Sequence, residues 1–206
     1  MLTVLEGLDG AGKSTQVKKL RAYLESLCGN LEYIHFPRYD APVYGDLISR
    51  ELDREVFNLG FSGNAKLDIE IAEYMASVKD PGVFVLDYAP NCKADLIEAK
   101  AEKFFRLLRD AHPDVPVIII EPPYYPKKNF DRAVYDDFAQ RIQAQRSLYK
   151  KLKKSGEKKL FYIKSDQLLN GNMDATVDGV HYTDLGSVIH AEAIVPVIRR
   201  ALRMTK

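Results

Sequence analysis

The sequence predicts an α/β fold: a single parallel sheet covered by helices on both faces. Two runs point to it most directly. Residues 83–87 (Val-Phe-Val-Leu-Asp) and 115–120 (Val-Pro-Val-Ile-Ile-Ile) are nearly all apolar, as strands buried on both faces are. Longer stretches with apolar residues at helical spacing separate them, so strand and helix alternate along the chain. Third, the strand-like runs end in turn-forming clusters such as Tyr88-Ala89-Pro90-Asn91 and Glu121-Pro122-Pro123-Tyr124. Open parallel sheets gather their sites in such loops.

In chain order, residues 2–6 form a short β-rich run that ends at Gly7. The segment Gly7-Leu8-Asp9-Gly10-Ala11-Gly12-Lys13-Ser14-Thr15 satisfies the phosphate-binding P-loop pattern. Gly7, Gly10 and Gly12 let backbone N–H groups curl round phosphates, with Asp9 and Thr15 in the same cradle. Lys13 would meet the β- and γ-phosphates, and Ser14 is the candidate ligand of a magnesium ion. ATP and Mg2+ are the cofactors this loop implies. Val17, Leu20, Leu24 and Leu27 continue at helical spacing, which puts strand, loop and helix in the required order.

Residues 31–36 read as a second strand, followed by Pro37-Arg38-Tyr39-Asp40 and a helix over 42–52. A strand is expected at 54–59, a loop at 60–68 and an amphipathic helix at 68–78. A long helix runs through Phe104, Leu107 and Leu108 to Ala111. Another covers 130–154, its basic end matching the negative pole of the helix dipole. The last strand is expected at 160–163. Thr183 or Asp184 should cap a final helix carrying the periodic run 189–202.

Just before that helix lies Asp178-Gly179-Val180-His181. An acid three residues ahead of a histidine, in a glycine-bearing turn, can fix one imidazole tautomer and orient the ring as a general base. The other reading is a capped turn with a surface histidine.

Composition narrows the classes. The chain has 206 residues, 46% apolar and 29% charged, with a net charge of +1. It fits one domain or one with an appendage, and offers no electrostatic case for nucleic acid or an anionic membrane. Its two cysteines, Cys28 and Cys92, make no disulfide framework. Without a leader or a membrane-length apolar run, a cytoplasmic protein with a small-molecule substrate is expected. Composition leaves the oligomeric state open.

Two resemblances follow from these residues. Gly7 to Thr15, with Phe36-Pro37-Arg38 and Tyr44-Gly45-Asp46-Leu47-Ile48, resembles the opening of a bacterial thymidylate kinase. That resemblance implies that Arg38 helps hold a nucleoside monophosphate. It covers only the first quarter of the chain: the family's later Asp-Arg segment is replaced by Asp87-Tyr88-Ala89, and an arginine-rich lid is missing. Residues from about 49 to 202 resemble the SGNH (GDSL-type) ester hydrolases. There the resemblance implies a flavodoxin-like sheet, Asp178 and His181 as acid and base, and Gly63 N–H and the Asn91 side chain as oxyanion donors, with no cofactor. The family's Gly-Asp-Ser turn is absent: Pro37-Arg38-Tyr39-Asp40 occupies its place, and Leu47 follows the one Gly-Asp pair. The chain therefore reads as composite, a P-loop segment over 1–48 joined to a hydrolase-like segment over 49–206. Two functions stay open. One is an ester hydrolase whose activity is impaired or relies on an unrecognised nucleophile; the other is a nucleotide-binding, kinase-like protein.

Overall fold

The structure, a computed structural model, describes residues 43–57, 59, 63–169 and 171–204. The chain divides into two units, 1–38 and 39–206, and the described residues all fall in the second. The strands expected at 2–6 and 31–36 lie outside the described residues.

Five α-helices and three strands are described: α1 (Val43–Leu52), α2 (Ile69–Ser77), β1 (Phe84–Leu86), α3 (Ala94–Ala111), β2 (Val117–Ile120), α4 (Arg132–Lys154), β3 (Leu160–Ile163) and α5 (Asp184–Leu202). The strands pair in parallel in the order β1-β2-β3, with Phe84 opposite Val117 and Val117 opposite Leu160. All four residues of β2 are buried, which is why that segment reads as an unbroken apolar run rather than an alternating one.

The two-residue period of the strands builds two cores. Phe84, Leu86, Val117, Ile119 and Leu160 face a cluster that includes Ala72 of α2, Phe105 and Leu108 of α3, and Leu152 of α4. Ile118, Ile120 and Ile163 face the opposite cluster, with Ile48 of α1 and Ile194 and Ile198 of α5. Helix α3 shows the matching 3.6-residue period: Ile97, Ala101, Phe104, Phe105 and Leu108 are its buried face.

Caps and charges fix the ends. Asp131 accepts from the N–H of Val134 at 3.2 Å to start α4, which ends in Lys151, Lys153 and Lys154. Thr183 Oγ1 accepts from the N–H of Gly186 at 3.1 Å to start α5. At the carboxyl end of β2, the fully buried Glu121 accepts from Arg146 Nε (2.6 Å), the Tyr162 hydroxyl (2.8 Å), and Ser165 N–H (2.8 Å) and Oγ (3.0 Å). Burial alone would raise its pKa; these donors outweigh burial and hold the carboxyl below the usual range. The ends of β2 and β3 are thereby tied together.

One expectation fails. Residues 54–59 were expected as a strand, but residues 54–57 and 59 are irregular. A strand needs a neighbour for its N–H and C=O groups, and residues 55–57 pair with none of the described strands. The chain leaves α1 through Asp53 at φ +50, and Phe57 is 59% exposed. The β-propensity of Val56 and Phe57 does not form a strand without a partner. Elsewhere the expected strands are trimmed, 83–87 to β1 and 115–120 to β2, while 160–163 is β3 as expected.

Candidate active site at the carboxyl edge of the sheet

Beyond β1 the chain makes a tight turn. The N–H groups of Asn91 and Cys92 both donate to the Tyr88 carbonyl, at 2.9 and 3.1 Å, leaving Asn91 exposed while Ala89 and Cys92 are fully buried. The Cys92 thiol donates to Ala65 O at 3.2 Å, so this turn is tied to the loop that carries Gly63. Gly63 itself sits at φ +65, a left-handed state that glycine reaches without strain.

The loop before α5 is clamped at both ends. Val177 N–H donates to His181 O at 2.8 Å, Thr183 N–H to Ala175 O at 3.0 Å, and Thr176 bridges Tyr182. Between them Asp178 folds back on its own turn. Its Oδ1 accepts from the N–H groups of Val180 (2.9 Å) and His181 (2.8 Å), and its Oδ2 lies 2.7 Å from His181 Nδ1. Burial pushes the Asp178 pKa up, but the His181 and Val180 donors prevail and hold the carboxyl below its usual range. An ionised Asp178 accepts, so Nδ1 carries the proton and Nε2 is left as the basic nitrogen. Gly179, at φ +86, abuts the loop after β2: a Cβ there would lie 2.9 Å from Lys127 Cβ.

Tyr125 follows β2 in the chain. It is buried and stacks edge-on against Phe138 at 5.7 Å. Burial raises its pKa above the ordinary phenol value; the charges of Asp87 and Asp178 raise it further and that of Arg141 lowers it. Asp87, at the end of β1, is half-buried as a residue, yet its Oδ1 is wholly out of solvent with no hydrogen-bond partner. That burial pushes its carboxyl to about 7.

The structure thus brings His181 onto Asp178, and the Gly63 loop onto the Asn91 turn. No hydrogen bond joins His181 to Gly63 or Asn91 among the described residues. Nor does any described serine, threonine or cysteine bond to His181. Ser49 Oγ instead donates to Arg54 O at 2.6 Å and Ser165 Oγ is held at Glu121. Burial lifts the Cys92 thiol to about 11, which keeps it protonated and a poor nucleophile. Ser62 and the P-loop residues Gly7, Asp9, Gly10, Gly12, Lys13, Ser14 and Thr15, together with Arg38, lie outside the described residues. Among the described residues no group of three His, Cys, Asp or Glu side chains is placed to hold a metal ion, and no helix is long and apolar enough to cross a membrane.

Sequence reasoning missed four residues of this edge: Asp87, Cys92, Tyr125 and Arg141. Asp87 ending an apolar run was the only visible signal. The others act through contacts between residues far apart in sequence.

Comparison with known proteins agrees with this architecture. The profile of the GDSL-like Lipase/Acylhydrolase family matches residues 41–199, a span that begins ahead of the boundary expected at 48. A crystal structure described as that of a GDSL-like lipase from Bacteroides ovatus is 32% identical, with TM-score 0.74 over 79% of this chain and 48% of its own. The salicylyl-acyltransferase SsfX3 of a tetracycline biosynthetic pathway matches at 17% identity and TM-score 0.62, over 73% of this chain and 46% of its own. A carbohydrate esterase family 3 protein from Talaromyces cellulolyticus matches at 16% identity and TM-score 0.54, over 78% and 91%. These last two share the fold. The chain spans about half the length of the first two structures. No curated protein matches the chain, and nothing in these comparisons supports a thymidylate kinase segment at the N-terminus. From residue 41 to residue 199, the chain belongs to the GDSL-like lipase/acylhydrolase family.

Proposed function

We propose that the chain is a hydrolase-type acyl-ester site acting on a small-molecule ester, with impaired turnover. The observation that carries this reading is the 2.7 Å contact between His181 Nδ1 and Asp178 Oδ2, which leaves Nε2 to handle protons. In the proposed chemistry, Nε2 accepts the proton of the attacking hydroxyl as its oxygen bonds to the ester carbonyl carbon. Gly63 N–H and the Asn91 carboxamide then donate to the resulting oxyanion. Nε2 returns the proton to the departing alkoxide as the carbon–oxygen bond breaks. The oxyanion donors contribute on the order of 10²–10³ each in rate. Turnover is impaired because no described hydroxyl bonds to His181, and water attacks far more slowly than an activated serine. Hydrolysis of a short-chain aryl ester, compared between the native chain and Asn91→Ala, tests the reading. It predicts slow turnover that falls further in the variant; equal rates would sink the donor role.

A second reading concerns the complete motif Gly7 to Thr15, a site for ATP and Mg2+ in which Lys13 meets the phosphates and Ser14 the metal. Saturation at 100 times Kd would stabilise the chain by about 2.7 kcal/mol. A thermal shift with ATP and magnesium that vanishes in Lys13→Ala is expected; identical behaviour of native chain and variant would leave the segment a structural turn.

A further inference from the structure

The turn carrying Asn91 is held from outside by one side chain. Arg141 projects from α4, and its Nη1 donates to both Ala89 O (3.0 Å) and Pro90 O (2.7 Å), the two carbonyls immediately before Asn91. Its Nη2 lies 2.6 Å from Asp137 Oδ2, one helical turn earlier, and the side chain is only 16% exposed. The guanidinium is therefore clamped between its own helix and the turn.

The pose comes at a cost to the arginine. Its Nε is buried without an acceptor, and an orphaned buried donor is unfavourable. A guanidinium free to satisfy all its N–H groups would sit elsewhere; this one is fixed by the two carbonyls. Arginine suits the task because its planar fork keeps donors in a rigid relative geometry, which a lysine ammonium lacks. The positive charge also reaches the surroundings of the turn, lowering the pKa values of Cys92 and Tyr125 against the larger opposing effect of burial.

From the other side, the Cys92 thiol ties the same turn to Ala65. The backbone of residues 89–92 is thus pinned by α4 on one flank and by the Gly63 loop on the other, while the Asn91 side chain alone stays exposed. A carboxamide that must meet an oxyanion needs a fixed backbone, because a misplacement of about 1 Å can cost on the order of 10²-fold in rate.

Building on the oxyanion role proposed for Asn91, we propose that Arg141 is a positioning residue that sets the Asn91 carboxamide through the carbonyls of Ala89 and Pro90. Its substitution then harms catalysis by releasing the turn, not by removing a substrate contact.

Two measurements on the full chain test this. The first is amide hydrogen exchange in Arg141→Met and Arg141→Lys. Exchange at Asn91 and Cys92 should speed up at least tenfold in the methionine variant relative to Ile119 in the core, and less in the lysine variant, which keeps one cationic donor. Unchanged local exchange, or acceleration spread equally over the sheet, overturns the proposal. The second is a double-mutant cycle on aryl-ester turnover. Arg141→Met should lower kcat by about the same factor as Asn91→Ala, on the order of 10²-fold, with KM little changed. In the Asn91→Ala background it should do nothing more. Additive losses, or a normal kcat in Arg141→Met beside a slow Asn91→Ala, overturn the positioning role alone. If Asn91→Ala is itself as fast as the native chain, the oxyanion reading fails and the positioning role falls with it.

Discussion

A Cβ placed on Gly186 would lie 2.0 Å from the carbonyl oxygen of Ala175. That carbonyl also accepts from Thr183 N–H at 3.0 Å, so the first turn of α5 sits directly on the base of the loop that carries Asp178 and His181. Gly186→Ala must push the two segments apart. Overpacking of this kind costs about 1–3 kcal/mol, and a chain of this length loses roughly 2–4 °C in Tm per kcal/mol. Calorimetry should show that fall; an unchanged Tm would mean that α5 and the loop are less tightly seated than described.

Asp87 gives the fold a pH dependence of definite sign. Its carboxyl is raised by burial from the ordinary 3.8 to about 7. Between those values the folded chain keeps a proton that the unfolded chain has released, so this group's contribution to stability falls as pH rises, by up to about 1.4 kcal/mol per pH unit. His190 acts oppositely. It is fully buried beside Tyr182 and lowered by burial to about 4, so its contribution rises with pH between 4 and its ordinary 6.5. The two partly cancel in the native chain, and the comparison with Asp87→Asn isolates one of them. Denaturant titrations should find the variant gaining on the native chain from pH 4 to pH 7 and level above that. A constant difference across the window would contradict the buried, unpaired carboxyl.

At Glu121 the expectation is loss of stability at any pH near neutrality. Glu121→Ala strands the Tyr162 hydroxyl and the Ser165 N–H, which now meet the carboxylate at 2.8 Å each, and unpairs Arg146. Arg146 is half exposed and returns to water, so the cost is that of the stranded donors, about 1–3 kcal/mol, read as a lower denaturant midpoint at unchanged slope. Glu121→Gln, which keeps an acceptor oxygen, should lose less. Equal losses in the two variants would show that shape, not hydrogen bonding, fixes the strand ends.

Local signals carried much of this fold into the sequence. The Ile118-Ile119-Ile120 run reads as a buried parallel strand because its side chains enter an apolar core on each face of the sheet. The Asp178-to-His181 spacing and the Thr183 cap were legible because each is closed within a few residues. Residues 54–59 misled because Val56 and Phe57 have strand chemistry, whereas a strand exists only beside another. Arg141 was invisible for a related reason. Its contacts span about fifty residues, and nothing in the helical period of α4 marks one arginine as different from Arg132 or Arg146. The orphaned oxygen of Asp87 depends on packing from several elements and has no sequence signature beyond a carboxylate ending an apolar run.

The central claim is an acid–base pair without a bonded nucleophile, and turnover of a short-chain aryl ester by the native chain beside His181→Ala tests it most directly. Slow hydrolysis is predicted, far below the roughly 10 per second typical of enzymes. His181→Ala should lower it further, by roughly 10²-fold at most, since Nε2 has only water to activate. Native turnover of order 10 per second that collapses in His181→Ala would contradict the claim and place a nucleophile within reach of Nε2.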